Sequence, residues 1–217
     1  MRIDILSDVM CPWCYIGKRR LEAAMERSDL TFEIVWRPYK LDDTIPEGGM
    51  DRQAYLERKF GGPDGVQEVY GRITEAGLAE GISFRFEDIP RSPNTTNAHR
   101  LIRWAGAADA VDPSERIQDA VVERLFQSYF LEGGDVESPD ALAHAASAAT
   151  DADLGDIAAR LQGPEDRDAV QAEIEHAKHI GVTGVPTFVL DSKLVVVGAH
   201  PPDVMLDAIS QATATIN

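Results

Sequence analysis

The sequence predicts an α/β fold in which a βαβ unit at the start and a ββα unit at the end enclose a long all-helical insertion. Three observations predict it. Residues 1–40 read as strand, helix, strand; residues 41–180 carry helical periodicity; and after Gly181 the apolar spacing returns to two.

Arg2 to Ser7 places Ile3 and Ile5 around polar Asp4, the pattern of a short strand, and Asp8-Val9-Met10 follow as a turn. From Cys11 the pattern is helical, with Ile16, Leu21, Ala24 and Met25 near a 3.6 period and Ser28-Asp29 at the end. Pro12 fits the first turn, where a missing N–H is harmless. The run Lys18-Arg19-Arg20 reads as the solvated face of this helix. Leu30 to Pro38, with Phe32, Ile34, Val35 and Trp36, is a second strand.

Beyond Leu41, proline and glycine mark a loop leading through a short helix over 52–59. Helices follow over 66–81, 95–107, 113–132, 139–148, 153–161 and 165–180, mostly started by Asn, Asp, Ser or Pro; Ser83 to Phe86 reads as extended. Asn94, between Pro93 and Thr95, is a helix cap first and a neighbour of a functional site second. Trp36 and Trp104 read as packing residues. Thr187 to Leu190 and Lys193 to Val197 flank Asp191-Ser192 as a hairpin, and Pro202 to Ala212 closes the chain as a helix. This order is that of a thioredoxin fold interrupted after its second strand. Residues 1–40 and 181–217 then form the thioredoxin-like part and residues 41–180 the insertion. No internal repeat or flexible linker divides the chain.

The chain has 217 residues and is 44% hydrophobic, enough for a substantial core without cross-links. A formal net charge of -16 argues against nucleic acid and anionic lipid surfaces as partners. No segment approaches the roughly 18 consecutive apolar residues of a membrane helix. The first residues lack a basic region followed by an apolar one and run into a strand, so the cytoplasm is the expected compartment. Two cysteines cannot make the disulfide scaffold of a small secreted protein. Oligomeric state is open between monomer and homodimer.

Cys11 and Cys14 are therefore present for chemistry or for metal. A thiolate attacks a disulfide where a thiol does not, and a helix N-terminus with its unpaired N–H groups favours the anion. Cys11 occupies that position and is the expected nucleophile. Cys14, one turn further in and less exposed, is the resolving thiol. Pro12 and Trp13 restrict the turn and cover the sulfur, and Trp13 also offers a substrate platform. The other half of the site is Gly184-Val185-Pro186-Thr187-Phe188. A proline before a central strand is accommodated by a cis peptide bond, leaving the Val185 backbone to pair with an extended substrate beside Cys11. His99, near a helix start, is a candidate to contact substrate or hold the thiolate, against the alternative of a satisfied structural histidine. His176 and His179 are too closely spaced for an ordinary zinc finger, and no second cysteine pair exists, so no metal site is assigned.

The segment Ser7-Asp8-Val9-Met10-Cys11-Pro12-Trp13-Cys14-Tyr15-Ile16-Gly17, with Gly184 to Phe188, Gly198-Ala199-His200-Pro201 and Asn94 to Arg100, resembles the FrnE-like branch of the DsbA-like thioredoxin family. The resemblance covers nearly the whole chain. It implies a thioredoxin fold with a helical insertion, a dithiol/disulfide centre at Cys11 and Cys14, and a cis bond before Pro186. It implies a thiol-disulfide oxidoreductase acting on a substrate protein or a small thiol or disulfide, with no bound cofactor and glutathione as the candidate redox partner. The branch is also similar to kappa-class glutathione transferases and 2-hydroxychromene-2-carboxylate isomerases, which carry serine where this chain has Cys11. A glutathione-dependent isomerase or transferase acting on a small aromatic molecule is thus the alternative, and a module that captures a soft cation at the two sulfurs is a third possibility.

Overall fold

The computed structural model describes residues 1–111 and 115–214. β1 (Arg2–Ser7), α1 (Pro12–Met25) and β2 (Glu33–Pro38) open the fold. β3 (Met50–Asp51), α2 (Arg52–Phe60), α3 (Pro63–Ala79), a 3-10 turn at Phe86–Asp88, β4 (Arg91–Ser92) and α4 (Thr96–Asp109) follow. Next come α5 (Ile117–Glu132), α6 (Pro139–Ala149), α7 (Ile157–Gln162) and α8 (Arg167–His179), then β5 (Thr187–Leu190), β6 (Leu194–Val197) and α9 (Pro202–Ala214). The helix start expected at Pro113 lies outside the described residues.

Residues far apart in sequence build one four-stranded sheet of order β2-β1-β5-β6. β1 runs parallel to β2, with Ile3 opposite Ile34 and Ile5 opposite Trp36. It runs antiparallel to β5, with Ile5 opposite Phe188. The period of two then decides what each face buries. Ile3, Ile5, Trp36, Phe188 and Leu190 enter a large core shared with α1, α4, α5 and α9. On the other face, Leu6 joins Tyr39 and Ala177 of α8, with Val189 against them. The insertion has no separate core, because Tyr129, Phe126 and Phe130 of α5 lie in the same cluster as the sheet.

Caps of the expected kinds start several helices. Asp51, Ser138 and Asp156 accept from the N–H groups of Ala54, Ala141 and Ala159. Asn94 accepts from Thr96 N at 3.1 Å and Thr96 Oγ1 at 2.7 Å, and donates to the Ile45 carbonyl at 2.8 Å. The edge of β2 is covered in an unusual way: the Gln118 amide accepts from Trp36 N at 2.8 Å and donates to Trp36 O at 3.2 Å, as a neighbouring strand would. Gly106 admits this side chain, since a Cβ there would lie 2.6 Å from Gln118 Nε2.

Two expectations are corrected. Ser83 to Arg85 is not a strand; the short sheet in this region pairs Met50–Asp51 with Arg91–Ser92 instead. The Lys18-Arg19-Arg20 run is not a solvated face. Lys18 is 3% exposed and lies among Glu22, Asp119 at 3.5 Å and Glu123 at 3.2 Å, while Arg19 also pairs with Glu123. Arg20 reaches Glu80 and the Ala199 carbonyl. The physical reason is α5, which packs its carboxylates against this side of α1, a neighbour that helical periodicity cannot reveal.

Candidate active site

Cys11 is the residue that caps α1, with extended backbone angles and Pro12 at the first helical position. Its side chain makes no hydrogen bond to the helix, so the sulfur is left for other partners. Its N–H is held by Asp8 O at 3.0 Å, which fixes the turn between β1 and the helix. Cys14 N donates to Cys11 O at 3.0 Å, closing the first turn and bringing the second sulfur round to the first. Both cysteines are free thiols.

Burial pushes the Cys14 thiol well above its ordinary value, and the hydrogen bond to Cys11 and that residue's charge push it further, against hydrogen bonds from Ser7 and Asp8. Cys14 thus keeps its proton. The expectation that Cys11 would be the open member of the pair needs correction in degree, because Cys11 is 3% exposed and Cys14 1%. Pro12 is buried and Trp13 is half-buried against the core, so Trp13 is the more accessible residue of the motif.

The second half of the site arrives from the far end of the sheet. The Val185–Pro186 peptide bond is cis. The Val185 carbonyl lies 3.7 Å from Cys11 Sγ, within reach of the thiol proton. Gly17, one turn beyond Cys14, makes this approach possible. A Cβ on Gly17 would meet Pro186 Cγ at 2.9 Å and Phe188 Cζ at 3.1 Å, so α1 can lie this close to the proline only with glycine there.

His99 and Asn94, the other two expected site residues, are not at the sulfur. His99 is 3% exposed, with Nε2 at 3.0 Å from Tyr39 O and 3.6 Å from Asp8 Oδ1. It buttresses the loop beneath the active turn, since Asp8 also accepts from Leu41 N at 2.7 Å. The correction is that its hydrogen bond is internal, and a substrate contact is not available to it. Asn94 caps α4 and lines a cavity of about 440 Å³ together with Arg91, Glu137 and Arg167, away from the cysteines.

Sequence reasoning missed Ser7, which bonds Cys14, and the buried group of Arg52 with Tyr70 and Tyr129. Ser7 stood inside the quoted motif, so adjacency was the signal. Nothing local marked Arg52. Among the described residues no group of three or more His, Cys, Asp or Glu side chains is placed to hold a metal ion.

Comparison with known proteins agrees with this geometry. Residues 2–210 match the DSBA-like thioredoxin domain. The chain is 24% identical over 211 residues to the protein YwbO of Bacillus subtilis, covering 97% of this chain and 96% of that one. It superposes on a probable DsbA oxidoreductase of Streptomyces coelicolor with a TM-score of 0.87 and 29% identity, covering 100% and 92% of the two chains. It also shares its fold with a 2-hydroxychromene-2-carboxylate isomerase, at a TM-score of 0.67 and 15% identity over 99% and 97% of the chains. With the sheet order, the helical insertion and the match along nearly the whole sequence in agreement, the chain belongs to the DsbA-like thioredoxin family.

Proposed function

We propose that the protein is a thiol-disulfide oxidoreductase acting through Cys11 and Cys14. The observation that carries this reading is the placing of Cys11 at the N-terminus of α1, facing the Val185 carbonyl, with the buried Cys14 one turn behind it. Unpaired helix N–H groups and the helix dipole stabilise the anion a nucleophile requires.

The Cys11 thiolate attacks one sulfur of a substrate disulfide, forming a mixed disulfide and releasing the first substrate thiolate, which takes a proton. Cys14 then loses its proton and attacks Cys11 Sγ. The Cys11–Cys14 bond forms as the second substrate thiolate leaves, so two electrons pass from the protein to the substrate. Run backwards, the same steps oxidise a dithiol. The high-lying Cys14 thiol keeps the second step waiting until Cys11 has lost its charge to the mixed disulfide, which removes one cause of the rise.

The 3% exposure of Cys11 restricts attack to reactants that reach a recessed sulfur, which favours a small disulfide such as oxidised glutathione or an extended segment lying against Val185. In a reducing compartment such as the cytoplasm, the enzyme works as reductase or isomerase. No helix among the described residues is long and apolar enough to cross a membrane.

Cys11→Ser is expected to abolish reduction of insulin and of 2-hydroxyethyl disulfide. Cys14→Ser is expected to accumulate a mixed disulfide, one adduct per chain by mass spectrometry. Unchanged turnover in Cys11→Ser removes the proposal, and turnover of a small aromatic substrate that survives loss of Cys14 favours the glutathione-dependent isomerase instead.

A further inference from the structure

β6 ends the sheet on the side away from β2, and among the described residues no strand lies beyond it. Its pairing with β5 decides which backbone groups are left over. Gly198 N donates to Pro186 O at 2.8 Å, and the register sets Val197 opposite Thr187 and Val196 opposite Phe188. Hydrogen-bonded pairs alternate along an antiparallel ladder, so Gly198, Val196 and Leu194 turn their N–H and C=O groups to β5. Val195 and Val197 therefore turn theirs outward. The far side of β5 agrees: Asp191 N donates to Arg2 O at 2.8 Å, which leaves Leu190, Phe188 and Pro186 to face β6.

The side chains at the two positions are open as well. Val195 is 57% exposed and Val197 55%, on the face where Val189, the β5 neighbour of Val195, packs towards Leu6 and Tyr39. Edge strands of soluble proteins are normally blunted by charge, proline, a bulge or a covering element. β2, at the other edge, is covered by Gln118. On β6 the hydrogen-bonded cover among the described residues is the ring of His200, itself exposed, with Nε2 at 3.0 Å from Val197 O. That carbonyl keeps a second lone pair, and the N–H groups of both valines and the Val195 carbonyl face outward without a partner among the described residues.

Charge selects what can sit on this edge. The chain carries a formal net charge of -16, so copies of it repel one another over most of their surface. From Ser192 to Pro202 there is no acid, and Lys193 is the only formally charged side chain. The acids that flank this stretch are engaged: Asp191 accepts from Arg2 N at 2.7 Å, and Asp203 pairs with Arg27 at 2.6 Å.

We propose that the open edge of β6 is a self-association surface, on which a second copy of this chain pairs its own β6 antiparallel across a two-fold axis at Val196. Val195 of each copy then lies opposite Val197 of the other. The outward N–H and C=O groups of the two strands satisfy one another, and the exposed valines of both copies meet on one face of a sheet that continues from molecule to molecule. A two-fold contact requires a surface that complements itself, and the matched spacing of donors and acceptors at Val195 and Val197 meets that requirement. The pairing stands apart from the thiol chemistry and uses neither cysteine.

The test is sedimentation equilibrium of the reduced full-length protein from about 5 to 500 μM, where a dimer is expected as a mass rising from that of one chain towards twice it. Val195→Lys brings like charges together beside the two-fold axis and is expected to raise the dimer dissociation constant at least about tenfold. Val197→Pro removes an outward N–H that β5 does not use, and is expected to act in the same direction. Val204→Lys, at an exposed valine on α9, is expected to leave the constant unchanged. Far-UV circular dichroism checks each fold, and amide exchange at Val195 and Val197 of the parent is expected to slow as its concentration rises. A parent that keeps the mass of one chain throughout overturns the proposal, including the case in which the edge takes up an extended peptide instead. Association that Val195→Lys and Val197→Pro leave intact, that Val204→Lys weakens as much, or that leaves exchange at the two valines unchanged also overturns it.

Discussion

Arg100 and Arg52 are both buried guanidinium groups in the helical part of the chain, and the fold treats them in opposite ways. Arg100, with no exposure at all, donates through Nε to Glu165 O, through Nη1 to Asn97 Oδ1 and Leu161 O, and through Nη2 to Arg160 O and Gly163 O. All five of its donors are matched, four of them to carbonyl groups where α7 ends and the chain turns towards α8. Arg52 has two phenols. The difference teaches two ways of burying a charge: a saturated guanidinium fixes a loop through carbonyl groups, and an undersaturated one rests on phenol oxygens and aromatic faces. Lys18, among three carboxylates, belongs with Arg100.

The strongest challenge to this contrast is Arg100→Met, which strands four carbonyls, that of Leu161 buried and the others partly buried, and is expected to cost about 3–5 kcal/mol in urea unfolding. A loss below about 1 kcal/mol would remove Arg100 from the structural class. Gly17→Ala tests the active end instead. It drives a methyl into Pro186 and should cost about 1–3 kcal/mol. It should also lower disulfide exchange, because Val185 shifts relative to Cys11; unaltered exchange would show that the close approach is dispensable.

A smaller effect concerns the Lys18 network. Burial opposes the charge on Glu123, but Lys18 and Arg19 outweigh it and hold the carboxyl below its ordinary 4.5. A depressed carboxylate stabilises the fold above its unfolded value, so this contribution is full above pH 4.5 and lost as the pH falls below it. Glu123→Gln should flatten the acid limb of a stability–pH curve and leave exchange activity intact; an acid limb as steep as in the parent would place the acid lability elsewhere. The smallest change is expected for Tyr70→Phe, which removes one of the two acceptors of Arg52 and should shift stability by no more than about 1 kcal/mol. A loss as large as that of Arg100→Met would place Arg52 and Arg100 in one class.

Much of the architecture was legible because it is written locally. Alternation at Ile3 and Ile5, the 3.6 spacing through Leu21 and the turn at Asp191-Ser192 mark β1, α1 and the hairpin, and Cys11, Cys14 and Pro186 stand in contiguous motifs. The pairs that escaped are joined only in space. Lys18 meets Asp119 and Glu123 across two helices, Arg52 meets Tyr129 across 77 positions, and Met50 pairs with Ser92 in strands of two residues, too short to show a period. His99 stood open between a site contact and a structural role for the same reason: its partner Tyr39 lies 60 positions away, and only that contact shows its ring engaged inside the core.

The central claim is that Cys11, at the mouth of α1, is the attacking sulfur while Cys14, one turn inward, stays protonated. Limited iodoacetamide labelling of the reduced wild-type protein at pH 7, followed by peptide mapping, tests it directly. The account expects the first label predominantly on Cys11, because burial keeps the Cys14 thiol protonated. First labelling at Cys14, or equal labelling of both, would contradict it.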